Sequence, residues 1–339
     1  MTVFKKAIIF TDIHYGYRSN CEKHLDDCSD FIDWIIREAK KHNAETCMFL
    51  GDWHDIRNAI NIKTLNRSLD DLRKLNKAFE KVYFIIGNHD LFYRNSRELH
   101  SSPFLEDLEN FVVIDDILQV EDCVFLPWLI EDEHKLMKNM KCKYVFSHLE
   151  LPGFMMNAMV EMPDHGNIHA EDFVSPDYVF TGHFHKRHSK GKVTYIGNAF
   201  PHNYADAWDD ERGYMLLEYG KDPEFYNWGA APKYRTLKLS ELLDKPENYI
   251  DDKTYARVSI DIDINFEEAQ FIKETFQTQF NPRRIDFLHQ HKSQEDDFEF
   301  AEGTGEFKSV DQIVSEGINN VDSQNIDKSL LMNIYKGLH

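Results

Sequence analysis

Residues 82–90 read VYFIIGNHD, an apolar run that ends in a glycine and three polar residues. A similar arrangement occurs at residues 46–55, TCMFLGDWHD, where Gly51 and Asp52 follow a second apolar run. Short apolar runs that end at a glycine are typical of buried β-strands. Both stretches therefore predict a strand that places polar side chains directly after its carboxyl end.

Amphipathic segments separate the predicted strands. A helix is expected at residues 30–42, between strands at 7–10 and 46–50, and another at 64–80, before the strand at 82–86. This alternation predicts parallel strands joined by crossover helices, an α/β arrangement. Further strands are expected at 143–146, 178–180, 193–196 and 213–219.

Polar residues with metal-binding side chains follow these strands. The carboxyl ends of strands in open α/β sheets form ligand sites, so these residues are expected to meet at one edge. Aspartate, asparagine and histidine together suit Mn²⁺ or another transition metal better than Mg²⁺ or Ca²⁺. Two such ions about 3.5–4 Å apart can hydrolyse a phosphate ester. The candidate ligands are Asp12, His14, Asp52, Asn88, His148, His183 and His185, with Asp52 as the bridging candidate.

Composition narrows the classes of function. The 339 residues are enough for two domains, and a formal net charge of −20 argues against a general attraction to nucleic acid. Five cysteines without a Cys-x-x-Cys motif indicate reduced thiols in a cytoplasmic protein. The apolar run near the N-terminus is too short for a signal peptide or a membrane span.

The C-terminal part of the chain changes in character. Residues 1–219 are expected to form the main domain, and residues 236–291 a small β-α-β domain. An acidic linker is expected at 292–306, followed at 307–339 by two short amphipathic helices. Helices this short are not stable alone. Packing on the core of this chain and docking on a partner's helix both remain open for them.

Taken in order over about residues 8–215, the motifs resemble those of the calcineurin-like metallophosphoesterase superfamily. They are Asp-x-His at 12–14, Gly-Asp-x-x-Asp at 51–55, Gly-Asn-His-Asp at 87–90, His148 and Gly-His-x-His at 182–185. Within that superfamily the chain is most similar to the SbcD-type DNA-repair nucleases, including the recombination nuclease subunits of tailed phages. This resemblance implies an αββα four-layer sandwich, a small capping domain that binds DNA, and a tail at 307–339 that docks on an SbcC-type coiled-coil ABC ATPase.

The resemblance also implies roles for individual residues. Asp12, His14, Asp52 and His185 would hold one Mn²⁺, and Asp52, Asn88, His148 and His183 a second, with Mg²⁺ or another divalent ion as an alternative. His89 would stabilise the transition state or protonate the leaving oxygen, Asp90 would orient His89, and either His54 or Asp55 would help to select the substrate. The implied activity is that of a 3′–5′ exonuclease and single-strand endonuclease, working as a homodimer.

Several positively charged residues flank the motifs. In the resembled family such flanks meet the DNA backbone without reading bases, although a single surface charge is more often merely solvated. The candidates are Arg57, Lys63, Arg67, Arg94, Arg97, Lys186 and Arg187. His165 and His169 lie in the segment at 151–171, which we interpret as a lid or partner contact rather than a third metal site.

Two other functions remain open on the sequence. A phosphatase or small-molecule phosphodiesterase of the same superfamily would use the same metal ligands. A scaffold that only tethers DNA or the ATPase would need no catalysis.

Overall fold

The structure is a computed structural model that describes residues 2–156, 160–164 and 168–289, together with Lys328 and Met332. The expected linker at 292–306 lies outside the described residues, as does the expected tail at 307–339 apart from those two positions. The chain divides into two compact units, residues 1–290 and 291–339.

The described part of the first unit contains five α-helices, seventeen strands and several 3₁₀ turns. The helices are α1 (Tyr17–Asn20), a single turn with left-handed backbone angles at Arg18, Ser19 and Asn20, α2 (Glu22–His42), α3 (Ile62–Ala78), α4 (Leu239–Asp244) and α5 (Phe266–Phe280). The strands are β1 (Lys6–Phe10), β2 (Thr46–Phe49), β3 (Lys81–Ile85), β4 (Leu91–Tyr93), β5 (Ser96–His100), β6 (Phe111–Ile114), β7 (Leu118–Val120), β8 (Cys123–Leu126), β9 (Tyr144–His148), β10 (Tyr178–Gly182), β11 (His188–Lys190), β12 (Val193–Tyr195), β13 (Gly213–Glu218), β14 (Glu224–Asn227), β15 (Lys233–Lys238), β16 (Thr254–Ile260) and β17 (Arg284–His289).

The first sheet has the strand order β14-β13-β1-β2-β3-β6. Strands β1, β2, β3 and β6 are parallel, as the strand–helix alternation predicts, and β13 and β14 are antiparallel additions at one edge. Helices α2 and α3 cover the outer face of this sheet, where Phe31, Ile35 and Leu72 join one apolar cluster with Phe10 and Phe49. Helix α2 begins at Glu22, eight residues before the predicted start at residue 30.

The second sheet has the order β11-β12-β10-β9-β8-β7 and packs face to face on the first. The shared core contains Ile9 and Met48 from the first sheet and Phe146 from the second, and the rings of Tyr83 and Phe125 stack at 4.6 Å. The predicted sandwich is thus confirmed. Its fourth layer, however, is formed by loops and 3₁₀ turns such as Glu133–Asn139, packed on the outer face of the second sheet.

A third sheet, β15-β16-β17, is entirely parallel and has its own apolar cluster with α4 and α5. It begins at Lys233, and the sequence did not predict β15 or α4. An ion pair between Arg283, before β17, and Asp27 on α2 joins this sheet to the sandwich. Whether residues 236–291 act as a separate capping domain stays a prediction.

Two smaller expectations also bear on this part of the chain. All five cysteines are free thiols, as predicted. Among the described residues, none of the helices has both the length and the apolar character needed to cross a bilayer.

Candidate metal centre

The polar residues that follow the strands meet at one edge of the sandwich. Asp12, Asp52 and Asn88 follow the neighbouring parallel strands β1, β2 and β3 of the first sheet. His148 ends β9 and His183 follows β10, which are neighbouring parallel strands of the second sheet. Contacts between the two sets bring both sheets to a common site: His148 Nε2 lies 3.3 Å from Asp52 Oδ2.

Close backbone approach explains the glycine that precedes two of these residues. A Cβ atom at position 87 would lie 2.3 Å from Asp52 Oδ1, and one at position 51 would lie 2.4 Å from His148 Nδ1. Real Cβ atoms essentially never come this close to another atom. Gly51 and Gly87 are therefore needed for the ligand side chains to converge.

One cluster of donors surrounds Asn88. Its Oδ1 lies 3.0 Å from His148 Nε2 and 2.8 Å from His183 Nδ1. His148 Nδ1 is 2.7 Å from the carbonyl oxygen of Leu50, so we assign the ring proton to Nδ1. Nε2, which faces the oxygens of Asn88 and Asp52, can then bind a cation in place of a second proton. These nitrogen and oxygen atoms are arranged as the ligands of a cation between them would be.

A second cluster surrounds Asp12 and His14. His14 Nε2 is 3.7 Å from Asp12 Oδ1 and 3.8 Å from Asp52 Oδ2, and His185 Nε2 is 3.9 Å from Asp12 Oδ1. Among the described residues, Asp12 Oδ1 and both ring nitrogens of His14 are buried without a hydrogen-bond partner. Buried polar atoms are normally hydrogen-bonded. Asp12 Oδ1 and His14 Nε2, which lie 3.7 Å apart, therefore fit ligands of a shared ion.

The electrostatics of the site favour positive charge. Burial alone would lower the pKa of His14, but interaction with the carboxylates of Asp12, Asp55 and Asp52 raises that pKa to about 10. The pKa of His148 is likewise raised to about 9, because the charge of Asp52 outweighs burial. Burial would raise the pKa of Asp52, yet the surrounding histidines hold it well below its usual value. The field that attracts a proton here also attracts a divalent cation.

His89 and Asp55 lie beside the Asp12–His14 cluster. The ring of His89 stands edge-on to that of His14 with centroids 4.9 Å apart, and its Nδ1 is 2.7 Å from the carbonyl oxygen of Asp55. Asp55 Oδ1 is 3.4 Å from His14 Nδ1. Both residues are therefore close enough to the candidate ligands to act on a substrate or to orient a ligand.

Asp90 has a different position from the one expected. Its carboxylate accepts hydrogen bonds from the backbone N–H groups of Gly87, Asp52, Trp53 and His54. The ring of His89 is held by the carbonyl oxygen of Asp55, and among the described residues the expected direct contact from Asp90 to this ring is not made. Asp90 instead ties together the two turns that carry Asp52 and Asn88.

His54 points away from the centre. Its ring is buried, with Nδ1 2.9 Å from Ser101 Oγ and Nε2 3.0 Å from Ser68 Oγ. Burial lowers the pKa of His54 to about 3. Both nitrogens are engaged by serines, so Asp55 is the member of this pair that approaches the site, and its role in selecting the substrate stays a prediction.

Most of the predicted DNA-contacting cations have other partners. Lys63 and Arg67 pair with Glu22 and Asp26 on α2, at 2.6 Å in each case. Arg97 is almost buried and binds Glu133.

Arg187 bonds to Asn227 and covers the ring of Phe225. Arg94 is largely exposed, 3.9 Å from Glu150. Within the described part of the chain, Arg57 and Lys186 make no ion pair.

The structure adds residues that sequence reasoning missed. Glu150 Oε2 lies 3.1 Å from His183 Nε2, and the ring of Trp128 lies 5.1 Å from that of His183. The sequence offered a hint for Glu150, because it lies two residues after the candidate ligand His148. His202 joins the rings of His14 and His185, and nothing in its local sequence marks it.

The two histidines of the 151–171 segment do not join the centre. His169 is exposed and lies 3.1 Å from Asp164, and among the described residues it belongs to none of the groups able to hold a metal ion. His165 lies outside the described residues.

Comparison with known proteins gives both a family and a relative. The family described as calcineurin-like phosphoesterase matches residues 5–187. Over 230 residues the chain is 28% identical to exonuclease subunit 1 of Enterobacteria phage T4, a match that covers 63% of this chain and 64% of that protein. The match thus spans slightly less than two thirds of that relative.

Two solved structures show weaker likeness. A dimetal phosphatase from Danio rerio has a TM-score of 0.42 and 14% identity, covering 67% of this chain and 96% of its own. The nuclease MPE of Pseudomonas putida has a TM-score of 0.30 and 19% identity, covering 56% of this chain and 66% of its own. Both TM-scores are low, and we draw nothing further from either likeness.

Proposed function

The chain belongs to the calcineurin-like phosphoesterase family, and from this premise we propose that it is a metal-dependent DNA nuclease. The observation that carries the proposal is the meeting of buried, unpartnered aspartate and histidine atoms at one edge of the sandwich. Similarity to a phage exonuclease subunit supports DNA as the substrate over a phosphoprotein or a small phosphodiester.

We assign the candidate ligands to two divalent ions, with Mn²⁺ as the proposed metal. Asp12, His14, Asp52 and His185 would hold one ion, and Asp52 would share the other with Asn88, His148 and His183. When bound, such a pair of ions supplies an acidic water as nucleophile and neutralises charge on the phosphate. The mixed nitrogen and oxygen donors support a transition metal over Mg²⁺.

The remaining side chains position the ligands and the substrate. Glu150 holds His183 through Nε2, which leaves Nδ1 directed at Asn88. The carbonyl oxygen of Asp55 holds Nδ1 of His89. Among the described residues, no hydrogen bond uses the other ring nitrogen of His89, Nε2. We therefore assign Nε2 of His89 to the phosphate or the leaving 3′ oxygen, a role typically worth about 10²–10⁴ in rate.

The test is digestion of end-labelled duplex DNA and of circular single-stranded DNA with Mn²⁺, beside a phosphopeptide under the same conditions. We expect both DNA substrates to be cut, the phosphopeptide to be left intact, and EDTA to abolish the activity. His89→Gln should cut about 10²–10⁴-fold more slowly while binding Mn²⁺ normally.

His169→Ala, which changes an exposed histidine, is the matched control and should cut like the parent. Preferential release of phosphate from the peptide would favour a phosphatase. A His89→Gln variant as fast as the parent would remove His89 from the mechanism.

We further propose that the protein works as a homodimer with an SbcC-type coiled-coil ATPase, which docks on residues 307–339. Support comes from the name of the phage relative, which describes a subunit. Deleting 307–339 should leave Mn²⁺-dependent cutting intact and abolish co-purification with the candidate ATPase. Retained co-purification would place the docking surface elsewhere.

A further inference from the structure

His202 is a buried histidine without hydrogen-bond partners on its ring. It lies in the loop between β12 and a 3₁₀ turn at Tyr204–Asp206, and it has no solvent exposure. Its backbone N–H donates to Asp206 Oδ2 at 2.9 Å, which fixes the main chain. Among the described residues neither Nδ1 nor Nε2 has a partner, a costly state for a buried imidazole.

The ring lies against two candidate ligands. Its centroid is 5.4 Å from that of His14 and 5.3 Å from that of His185. One ring nitrogen from each of these three residues lies within 4.8 Å of the other two. Two nitrogens on opposite sides of one ion, each about 2.1 Å from it, are separated by about 4.2 Å. The limit of 4.8 Å exceeds this separation by about 0.6 Å, so three imidazoles can reach a single cation after a small shift of the rings.

The neighbouring His24 shows that a histidine buried in this part of the structure can find a hydrogen-bond partner. Its ring is 5.3 Å from that of His202 and equally buried, but its Nε2 donates to the carbonyl oxygen of His14 at 2.9 Å. Tyr17 and Phe200 also pack on His202, and an apolar side chain would fill this aromatic surrounding without leaving polar atoms unpaired. Packing alone thus gives no reason for an imidazole at position 202.

We propose that His202 is an additional ligand of the cation assigned to Asp12, His14, Asp52 and His185. This rests on the proposed metal centre but not on the identity of the substrate. The first ion then has three imidazoles and two carboxylates, whereas the second has two imidazoles, one carboxylate and one amide. Because imidazole nitrogen favours transition metals, the first site discriminates against Mg²⁺ more strongly than the second.

The test compares the parent with His202→Leu by calorimetric titration with Mn²⁺ and by thermal unfolding with and without Mn²⁺. We expect the parent to bind two ions. The variant should bind one of them about tenfold or more weakly, since even loss of an outer-shell partner costs 10–100-fold. Without metal, its unfolding temperature should equal or exceed that of the parent, because an unpartnered polar ring has been removed.

His188→Leu is the matched control. Both nitrogens of His188 are used by the backbone, 2.9 Å from Met155 N and 2.8 Å from the carbonyl oxygen of Lys186. It should lower the unfolding temperature without metal and leave Mn²⁺ affinity unchanged. If His202→Leu also lowers the unfolding temperature without metal and leaves Mn²⁺ affinity unchanged, His202 has a structural role and the inference is overturned.

The same titration distinguishes a failure of the His202 inference from a failure of the proposed metal centre. A parent protein that binds no Mn²⁺ overturns both, whereas a parent and variant that bind two ions equally well overturn only the role of His202. If His202→Leu does not fold, pulsed electron paramagnetic resonance of Mn²⁺ in the parent and in His202→Asn gives the answer. Loss of one imidazole nitrogen coupling in the variant supports the ligand, and identical couplings overturn it.

Discussion

Four of the candidate ligands occupy left-handed backbone conformations, a strained state for residues other than glycine. The φ angle is 52° at Asp12, 52° at His14, 62° at Asp52 and 85° at His183. Each such residue costs on the order of 1–3 kcal/mol and persists only where the surroundings impose it. Here the strain turns the side chains at the strand ends toward a common centre, and bound cations would offset it.

The first prediction concerns the glycine before Asn88. Gly87→Ala would place a methyl group 2.3 Å from Asp52 Oδ1, so the Asp52 turn must shift. We expect a loss of Mn²⁺ binding by at least about 10-fold, as for other disturbed ligand shells. Gly229→Ala is the control, because nothing lies within 4 Å of a Cβ atom there. Equal Mn²⁺ affinity in both variants would mean that the turn is not rigid.

The second prediction concerns the effect of pH on the two hydrogen bonds made by the ring of His188. Its Nδ1 donates to the carbonyl oxygen of Lys186 and its Nε2 accepts from Met155 N–H, which only the neutral ring can do. Burial lowers the pKa of His188 below its usual 6.5. The stabilising effect is therefore complete above about pH 6.5 and is lost as the pH falls toward the lower folded-state pKa.

Hydrogen exchange measures this effect at one amide. After correction for intrinsic exchange, protection of the Met155 amide should fall between pH 7.5 and pH 5.5. In His188→Gln, whose side chain does not titrate, protection should change much less. The same pH dependence in both proteins would contradict the assignment.

For individual residues, the sequence predicts which residue types lie at the site better than it predicts the direction of each side chain. That the candidate ligands converge could be predicted because aspartate, asparagine and histidine recur directly after apolar runs. It could not be predicted that His54 turns toward Ser68 while Asp55 approaches His14, since the left-handed turn at Asp52 is invisible in the sequence. Arg97 was misinterpreted for a similar reason, because its partner Glu133 is distant in sequence.

At the scale of elements, parallel strands in two packed sheets place the site. Neighbouring parallel strands end at the same edge, so residues between positions 12 and 185 meet there without any long-range motif. The strands of the sandwich could be predicted from short apolar runs. Strand β15 could not, because the stretch before residue 239 is rich in charged and aromatic residues without a clear period. Helix α4 could not, because its six residues are too few to show a helical period.

The third prediction concerns the junction between α2 and the third sheet. Asp27 and Arg283 are 3% and 8% exposed, and Lys253 Nζ is 3.5 Å from Asp27 Oδ1. Asp27→Asn leaves the buried guanidinium without its counter-charge, which typically destabilises by about 3–5 kcal/mol. Urea unfolding monitored by tryptophan fluorescence measures the change.

The neighbouring residue provides the control for that experiment. Asp26 is 51% exposed and pairs with Arg67 at 2.6 Å, and an exposed pair is worth only about 0–1 kcal/mol. Asp26→Asn should therefore unfold at nearly the parental urea concentration. Equal effects of the two substitutions would show that the Asp27–Arg283 pair does not hold the third sheet to the sandwich.

At the scale of the whole molecule, the net charge of −20 must be reconciled with the proposed nucleic-acid substrate. Of the seven candidate basic residues, Lys63, Arg67 and Arg97 pair with carboxylates of the protein, and Arg187 bonds to Asn227. Arg57, Lys186 and the largely exposed Arg94 stay the candidates for contact with phosphate. Binding of DNA by this chain should then depend on the metal ions and on a partner more than on a basic surface.

The fourth prediction follows from that charge distribution. In EDTA, where only direct protein contacts to phosphate remain, three cations give a slope of log K against log salt of roughly −3. Fluorescence anisotropy of a labelled duplex over a range of NaCl concentrations measures it. A slope steeper than about −6 would reveal a basic surface that the described residues do not provide.

Anomalous scattering at the manganese edge, from crystals soaked in Mn²⁺, tests the central claim most directly. We expect two peaks about 4 Å apart, both next to Asp52, one bordered by Asp12, His14 and His185 and the other by Asn88, His148 and His183. Peaks elsewhere on the surface, or no peak beside Asp52 at saturating Mn²⁺, would contradict the claim that these side chains hold a pair of cations.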